Sequence, residues 1–249
     1  LSSALKILFH LPRPYWVIPG VRALATHPSS AFPSGHALGA VTFWGLLAAG
    51  IRRRGFTLLV ATLVISIGAS RIFLGVHFPS DVIAGFGFGL LILILFLALE
   101  GPVGRRVTAL PLSWQILLAF AGSIALALAS FVALVAIGDW QVPAAWAEAA
   151  GRPIDPLGLG DAMTAAGFFL GFAAGAAAGP RRMNICAGAW PARLLCFVLG
   201  LAVAWVIWFL PGLIIQPDPG LLAHALQYLR ATATATWISY GAPAVFART

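Results

Sequence analysis

Between Asp81 and Glu100 the chain carries no charged side chain; every residue there is Val, Ile, Leu, Phe, Ala or Gly. Further apolar runs cover about 36–51, 56–73, 112–137, 162–178, 194–210 and 221–246, so the pattern recurs from end to end. About 20 apolar residues suffice for a helix to cross a bilayer. Within lipid the backbone N–H and C=O groups must be satisfied inside the segment, as a helix does. Charged residues make up only 9% of the 249, and hydrophobic ones 61%, where an ordinary soluble domain carries roughly 25% charged residues. Too few polar side chains remain to cover a water-soluble surface. The fold class that follows is all-α, a polytopic transmembrane helix bundle.

The breaks between runs carry the orientation. The net charge of +8 is basic enough to suggest nucleic acid, but no basic stripe with interleaved aromatics is present. Instead the arginines sit in short clusters between apolar runs, as orienting charges do. Arg52–Arg54, Arg105 and Arg106, Arg181, Arg182 and Arg193, and the C-terminal Arg248 alternate onto one side; loops 10–35, 74–78, 138–161 and 211–220, with most of the acids, take the other. The positive-inside rule makes the arginine side cytoplasmic and the other side outer. Pro12, Pro14, Pro19, Gly20, Pro28 and Pro33 make 10–35 a loop, with Tyr15 and Trp16 suited to the water–lipid interface. Pro79 opens the helix of 79–99, a loop is expected over 100–111, and Gly241 and Pro243 kink the last helix. Glycines spaced by four, Gly167, Gly171, Gly175 and Gly179, and likewise Gly85 and Gly89, read as close helix packing, with a substrate groove as the alternative. Cys186 and Cys196 lack metal-ligand spacing and read as packing residues, with a disulfide or a reactive thiol as the alternative. The chain starts at Leu1 rather than Met, with Lys6 almost at the beginning, so further sequence is expected before it.

Three polar islands interrupt the apolar pattern before residue 82. The first is Lys6-Ile7-Leu8-Phe9-His10-Leu11-Pro12-Arg13-Pro14. The second is Pro33-Ser34-Gly35-His36. The third joins Ser70-Arg71 to His77 and Asp81. Lys6, Arg13 and Arg71 each read alone as interfacial cations with snorkelling stems; together with the histidines they read as a grip for phosphate oxygens, the arginines as planar forks and Lys6 as a point charge. Pro33-Ser34-Gly35-His36 opens a helix, whose first N–H groups and dipole favour an anion. Ser34 serves as the cap, Gly35 permits close approach, and His36 beside an anion is a ready general acid. Asp81, four residues after His77, can reach back to one imidazole nitrogen and leave the other free to attack; a helix-capping Asp beside an unrelated His fits that pair equally well. His10, His27 and His224 read as structural or interfacial. The acids Asp139, Glu148, Asp155 and Asp161 are scattered and read as solvated loop charges, so no metal site is expected. No P-loop or dinucleotide fingerprint is present, and no cofactor is expected.

Lys6-x6-Arg13-Pro14, Pro33-Ser34-Gly35-His36 and Ser70-Arg71-x5-His77-x3-Asp81, complete and in order, resemble the three-part signature of the type 2 phosphatidic acid phosphatase (PAP2) superfamily. That resemblance implies His77 as the nucleophile that becomes phosphohistidine, Asp81 as its orienting group, and His36 as the acid for the leaving group. It implies Lys6, Arg13, Ser34, Gly35 and Arg71 as phosphate-binding residues, and chemistry without a metal. Vanadium haloperoxidases share the signature but are soluble, which this composition excludes.

The expected organisation is a PAP2-like catalytic core over 1–99, its earlier helices missing, a cytoplasmic linker over 100–111, and a C-terminal transmembrane extension over 112–249. The expected function is a membrane lipid phosphatase of a bacterial inner membrane with its site on the periplasmic face. Its substrate would be a lipid phosphate of the phosphatidate, phosphatidylglycerophosphate or undecaprenyl pyrophosphate type. Membrane lipids are its other partners, and nucleic acid is not one. Transfer of the phosphate to a second lipid, and a non-catalytic lipid transporter or scaffold, are the alternatives.

Overall fold

The computed structural model describes residues 1–179, 190–214 and 220–246. Their regular elements are all helical: α1 (Ser2–Phe9), α2 (Pro14–Val17), α3 (Gly35–Ile51), α4 (Arg54–Phe73), α5 (Pro79–Thr108), α6 (Leu112–Ala136), α7 (Ala144–Ala150), α8 (Gly160–Ala178), α9 (Trp190–Ile214), α10 (Leu221–Thr236), a π-turn (Trp237–Gly241) and α11 (Ala242–Phe246). Five of these, α4, α5, α6, α8 and α9, are long and apolar enough to cross a membrane, and α3 is a shorter apolar helix. Large side chains such as Leu58, Ile65, Phe73 and Ile83 stand on the outside of the protein. Outward-facing apolar surface of that extent belongs against lipid. The chain is an integral membrane protein of helical architecture.

Two compact units divide it, Leu1–Arg105 with Ser130–Gly158, and Arg106–Ala129 with Leu159–Thr249. Residues 130–158 therefore pack with the first unit rather than with the extension in which the sequence reading put them.

In the first unit, α3 begins at Ser34, whose side chain accepts from the Ala37 N–H at 3.4 Å, satisfying one of the donors a helix start leaves unpaired. It ends at Arg52, in the left-handed region with φ 53°. α4 stops at Leu74, and Gly75 with φ +70° turns the chain toward α5; a side chain there would be strained in that conformation. Pro79 starts α5 as expected, but the helix does not stop at the expected loop. It continues through Pro102 to Thr108, because an internal proline removes one hydrogen bond and bends a helix without necessarily ending it. At about 1.5 Å per residue such a helix outreaches the roughly 30 Å apolar core of a bilayer, so Arg105 and Arg106 clear the hydrocarbon. The expected loop 138–161 contains α7, which packs on α2.

In the second unit, α8 lies against α10. A side chain added at Gly167 or Gly171 would run into the Tyr228 or Thr232 carbonyl oxygen of α10, so the glycine spacing serves close helix packing. Ser123 Oγ donates to Ala166 O at 2.8 Å and lies 2.9 Å from Tyr228 Oη. The irregularity expected near Gly241 takes the form of the π-turn. Cys196 is disulfide-bonded and not the plain packing residue expected, since chain spacing does not report the Cα separation that permits a bridge. Cys186, Arg181, Arg182 and Arg248, and residues 215–219 of the expected break at 211–220, lie outside the described residues; the start of that break is instead helical, α9 continuing through Pro211 to Ile214.

Candidate active site

The three polar islands meet in the first unit because α3 and α5 touch backbone to backbone. Ser34 N–H donates to Asp81 O at 2.9 Å, tying the start of one helix to the first turn of the other. Below that bond, a Cβ on Gly85 would sit 2.6 Å from Ser34 O, and one on Gly89 2.8 Å from Leu38 O. Only glycine allows this approach, and the approach puts the second and third islands side by side.

His77 lies between α4 and α5, just ahead of the proline that opens α5, and is 3% exposed. Its Nδ1 is 3.4 Å from Asp81 Oδ2, and that oxygen also accepts from the Phe78 N–H at 2.8 Å. Asp81 is 2% exposed; the backbone bond fixes its carboxylate, which then faces one side of the imidazole. On the other side, Arg13 Nη1 stands 3.4 Å from His77 Nε2 while donating to Val76 O at 2.9 Å. Burial pushes the His77 pKa below its ordinary value, the hydrogen bond and charge of Asp81 pull upward, and the Arg13 and Lys6 charges push down. The net effect favours the neutral ring.

The buried Arg13 guanidinium also donates through Nε to Ser29 O at 2.7 Å and through Nη2 to Ser30 O at 3.2 Å. Lys6 Nζ donates to Ser29 Oγ at 2.9 Å, so Ser29 links the two cations of the first island. Arg71 is half-buried and donates to Ser70 Oγ through Nε and Nη2, each at 3.2 Å. The charges of Arg71, Lys6 and Arg13 all act on His36, which is exposed on the first turn of α3. Ser34 is fully buried. A Cβ on Gly35 would make only an ordinary 3.5 Å contact with Ser2 Oγ, so protein packing does not demand glycine there. A fixed cluster of three cations, two histidines and a carboxylate around one helix start is suited to holding a phosphate and displacing its ester oxygen.

Residues 1–104 match the family model of the PAP2 superfamily, and residues 163–249 match that of the PAP2 superfamily phosphatase transmembrane extension. The chain belongs to the PAP2 superfamily. Over 98 residues it is 29% identical to phosphatidylglycerophosphatase B of Bacillus subtilis (strain 168), covering 36% of this chain and 48% of that protein. The chain thus spans about half the length of the curated relative it matches. No solved structure matches it.

Within this superfamily member, the structure brings His77, Asp81, Arg13 and Ser34 together through the contacts above, brings Lys6 in through Ser29, and sets His36 two residues beyond Ser34, where the charges of Arg71, Lys6 and Arg13 act on it. The sequence reading missed His27. Its ring centroid lies 5.7 Å from that of His36, and Tyr15 pins its backbone at both ends: Tyr15 Oη donates to His27 O at 3.0 Å and accepts from His27 N–H at 3.1 Å. Burial, helped by the charges of Arg13, His36, Lys6 and His77, pushes the His27 pKa down to about 4. No local spacing marks this residue, because an irregular loop has no period; only the long-range fold places it at the site. His10 stays structural, its ring centroid 4.4 Å from that of Trp140, and His224 lies on α10 in the second unit.

Proposed function

We propose that the chain is a membrane lipid phosphatase that hydrolyses a phosphomonoester or pyrophosphate of a lipid through a phosphohistidine on His77. The observation that carries this reading is the buried imidazole held between Asp81 at Nδ1 and the Arg13 guanidinium at Nε2. Asp81 holds the proton on Nδ1, so Nε2 presents its lone pair. That nitrogen attacks phosphorus, the bond from phosphorus to the lipid oxygen breaks, and His36 gives its proton to the departing oxygen. Water then attacks the phosphohistidine, His36 takes up the water proton, the P–N bond breaks, and phosphate leaves. Arg13, Lys6, Arg71, Ser34 and the backbone at Gly35 hold the equatorial oxygens, whose charge is largest as the bonds change.

These side chains supply nucleophile, acid and charge stabilisation themselves, so the proposed chemistry is metal-independent and turnover persists in EDTA. The name of the B. subtilis relative favours phosphatidylglycerophosphate as a substrate, with phosphatidate and undecaprenyl pyrophosphate types as the competing headgroups. The alternation of arginine clusters supports a bacterial inner-membrane location with the site facing the periplasm.

The test is phosphate release from a panel of lipid phosphates by the purified protein in detergent or nanodiscs. His77→Ala lowers kcat by about 10³ or more, as loss of a nucleophile does, and His36→Ala by about 10² to 10⁴. Wild-type turnover in both variants would falsify the mechanism. Little free phosphate beside a phosphorylated second lipid would convert the reading from hydrolysis to transfer.

A further inference from the structure

Neither family match reaches residues 138–158. This segment follows α6, forms α7, and belongs to the same compact unit as the phosphate site. Its aromatic rings reach α2 and His10, and three hydrogen bonds to the rest of the unit fall on one short stretch. Trp146 lies against Trp16, ring centroids 5.9 Å apart. Arg152 Nη1 donates to Thr26 Oγ1. The Asp155 N–H donates to Pro28 O at 2.9 Å. Ser30 Oγ, fully buried, donates to Pro156 O at 3.1 Å. Three of these four contacts hold Thr26–Ser30 from one side. From the other, Lys6 takes Ser29 Oγ and Arg13 takes Ser29 O and Ser30 O. The same stretch carries His27, whose ring lies against that of His36.

Loop 26–30 belongs to no helix. A segment without regular structure has no internal hydrogen-bond ladder, so its position is set by whatever its polar groups bond to. Here those partners are the two cations of the site, the Tyr15 hydroxyl at His27, the Arg152 side chain, and the backbone of 155–156. Pro153 and Pro156 limit the freedom of that backbone before the loop bonds to it. If the strap let go, Arg13 and Lys6 would keep their charges and lose the frame that aims them.

We propose that segment 138–158 is a positioning element of the phosphate site: through loop 26–30 it sets where Arg13, Lys6 and His27 stand against the reacting histidines. The proposal rests on the lipid phosphatase reading. It gives residues between the catalytic core and the transmembrane extension a part in the chemistry. They touch no reacting atom and act through the groups they hold.

The experiment compares Thr26→Val, Thr26→Ser and Ser30→Ala with the parent protein in lipid-phosphate hydrolysis. It adds inhibition by orthovanadate, whose five-coordinate geometry mimics phosphoryl transfer. Thr26→Val is nearly isosteric and removes the acceptor for Arg152; Ser30→Ala removes the donor to Pro156 and leaves the carbonyl that Arg13 uses. Each is expected to lower kcat/KM about tenfold and to raise the orthovanadate inhibition constant by a similar factor, while Thr26→Ser, which keeps the hydroxyl, stays near the parent. Two results overturn the proposal while His77→Ala is inactive: both disruptive variants within twofold of the parent in both measurements, or a fall in kcat/KM with unchanged vanadate inhibition. Full activity in His77→Ala overturns the phosphatase mechanism itself, and the positioning role with it.

Discussion

At the scale of single residues, the pair His77 and Asp81 does two opposed things. The carboxylate favours a protonated ring, while burial and Arg13 favour a neutral one, and the latter prevail. A nucleophile must be unprotonated, so a pKa lowered by burial and by Arg13 puts the acid limb of kcat/KM below the ordinary histidine range, while loss of the His36 proton sets the limb on the basic side. Asp81→Asn removes the upward pull: the acid limb moves to still lower pH, and kcat drops about 10² to 10⁴ as the tautomer is lost. A pH–rate profile checks both, and an acid limb above pH 6.5 would show that the site stabilises an imidazolium on His77 instead. His27 carries a stability consequence. Its folded pKa, near 4, lies below its ordinary 6.5, so the unfolded chain binds the proton more readily. The contribution to stability is complete above pH 6.5 and is lost progressively as pH falls toward 4. In thermal unfolding between pH 7 and pH 5, His27→Asn shows a smaller drop in midpoint than the parent; an equal drop would assign the loss to other groups. His77, Asp81, His36 and the cations stood out in the sequence through fixed short spacings. His27 did not, because its neighbour His36 lies on a different element and only tertiary structure joins them.

At the scale of elements, the helices themselves were readable, since an apolar run of membrane length has one way to satisfy its backbone. Their ends were less so. The loop expected over 100–111 proved to be helical as far as Thr108, and α7 went unseen because an Ala-rich stretch of 144–150 gives little periodic signal. The glycines of α5 offer a direct test of what positions the site. Gly85→Ala puts a methyl group 2.6 Å from Ser34 O, whereas a methyl on Gly87 meets nothing within 4 Å. Overpacking of this kind costs about 1 to 3 kcal/mol. Gly85→Ala is therefore expected to lose that much stability and most of its activity, while Gly87→Ala matches the parent in both. Denaturation in detergent with parallel phosphate-release assays reads the two; equal behaviour would mean that α3 and α5 are not held at backbone contact.

At the scale of the whole molecule, the arginine alternation gives a topology that can be labelled. A cysteine at Leu24, on the site side, should react with an impermeant thiol reagent in intact cells, and one at Arg53 only after permeabilisation. Reversed labelling would turn the site inward. The division into two units was not legible, because it depends on residues 130–158 folding back onto a loop more than a hundred positions earlier, and chain order says nothing of that return. The bond from Ser34 N–H to Asp81 O has a consequence for how such a protein changes over time. It joins the starts of α3 and α5, and with them His36 and His77, through main-chain atoms that an exchange of the Ser34 or Asp81 side chain does not remove. The loop bearing His27 and Ser29 is anchored separately, by side chains and by the strap. Exchanges in the loop and its anchors can therefore move its side chains while the main-chain bond between the two helices stays.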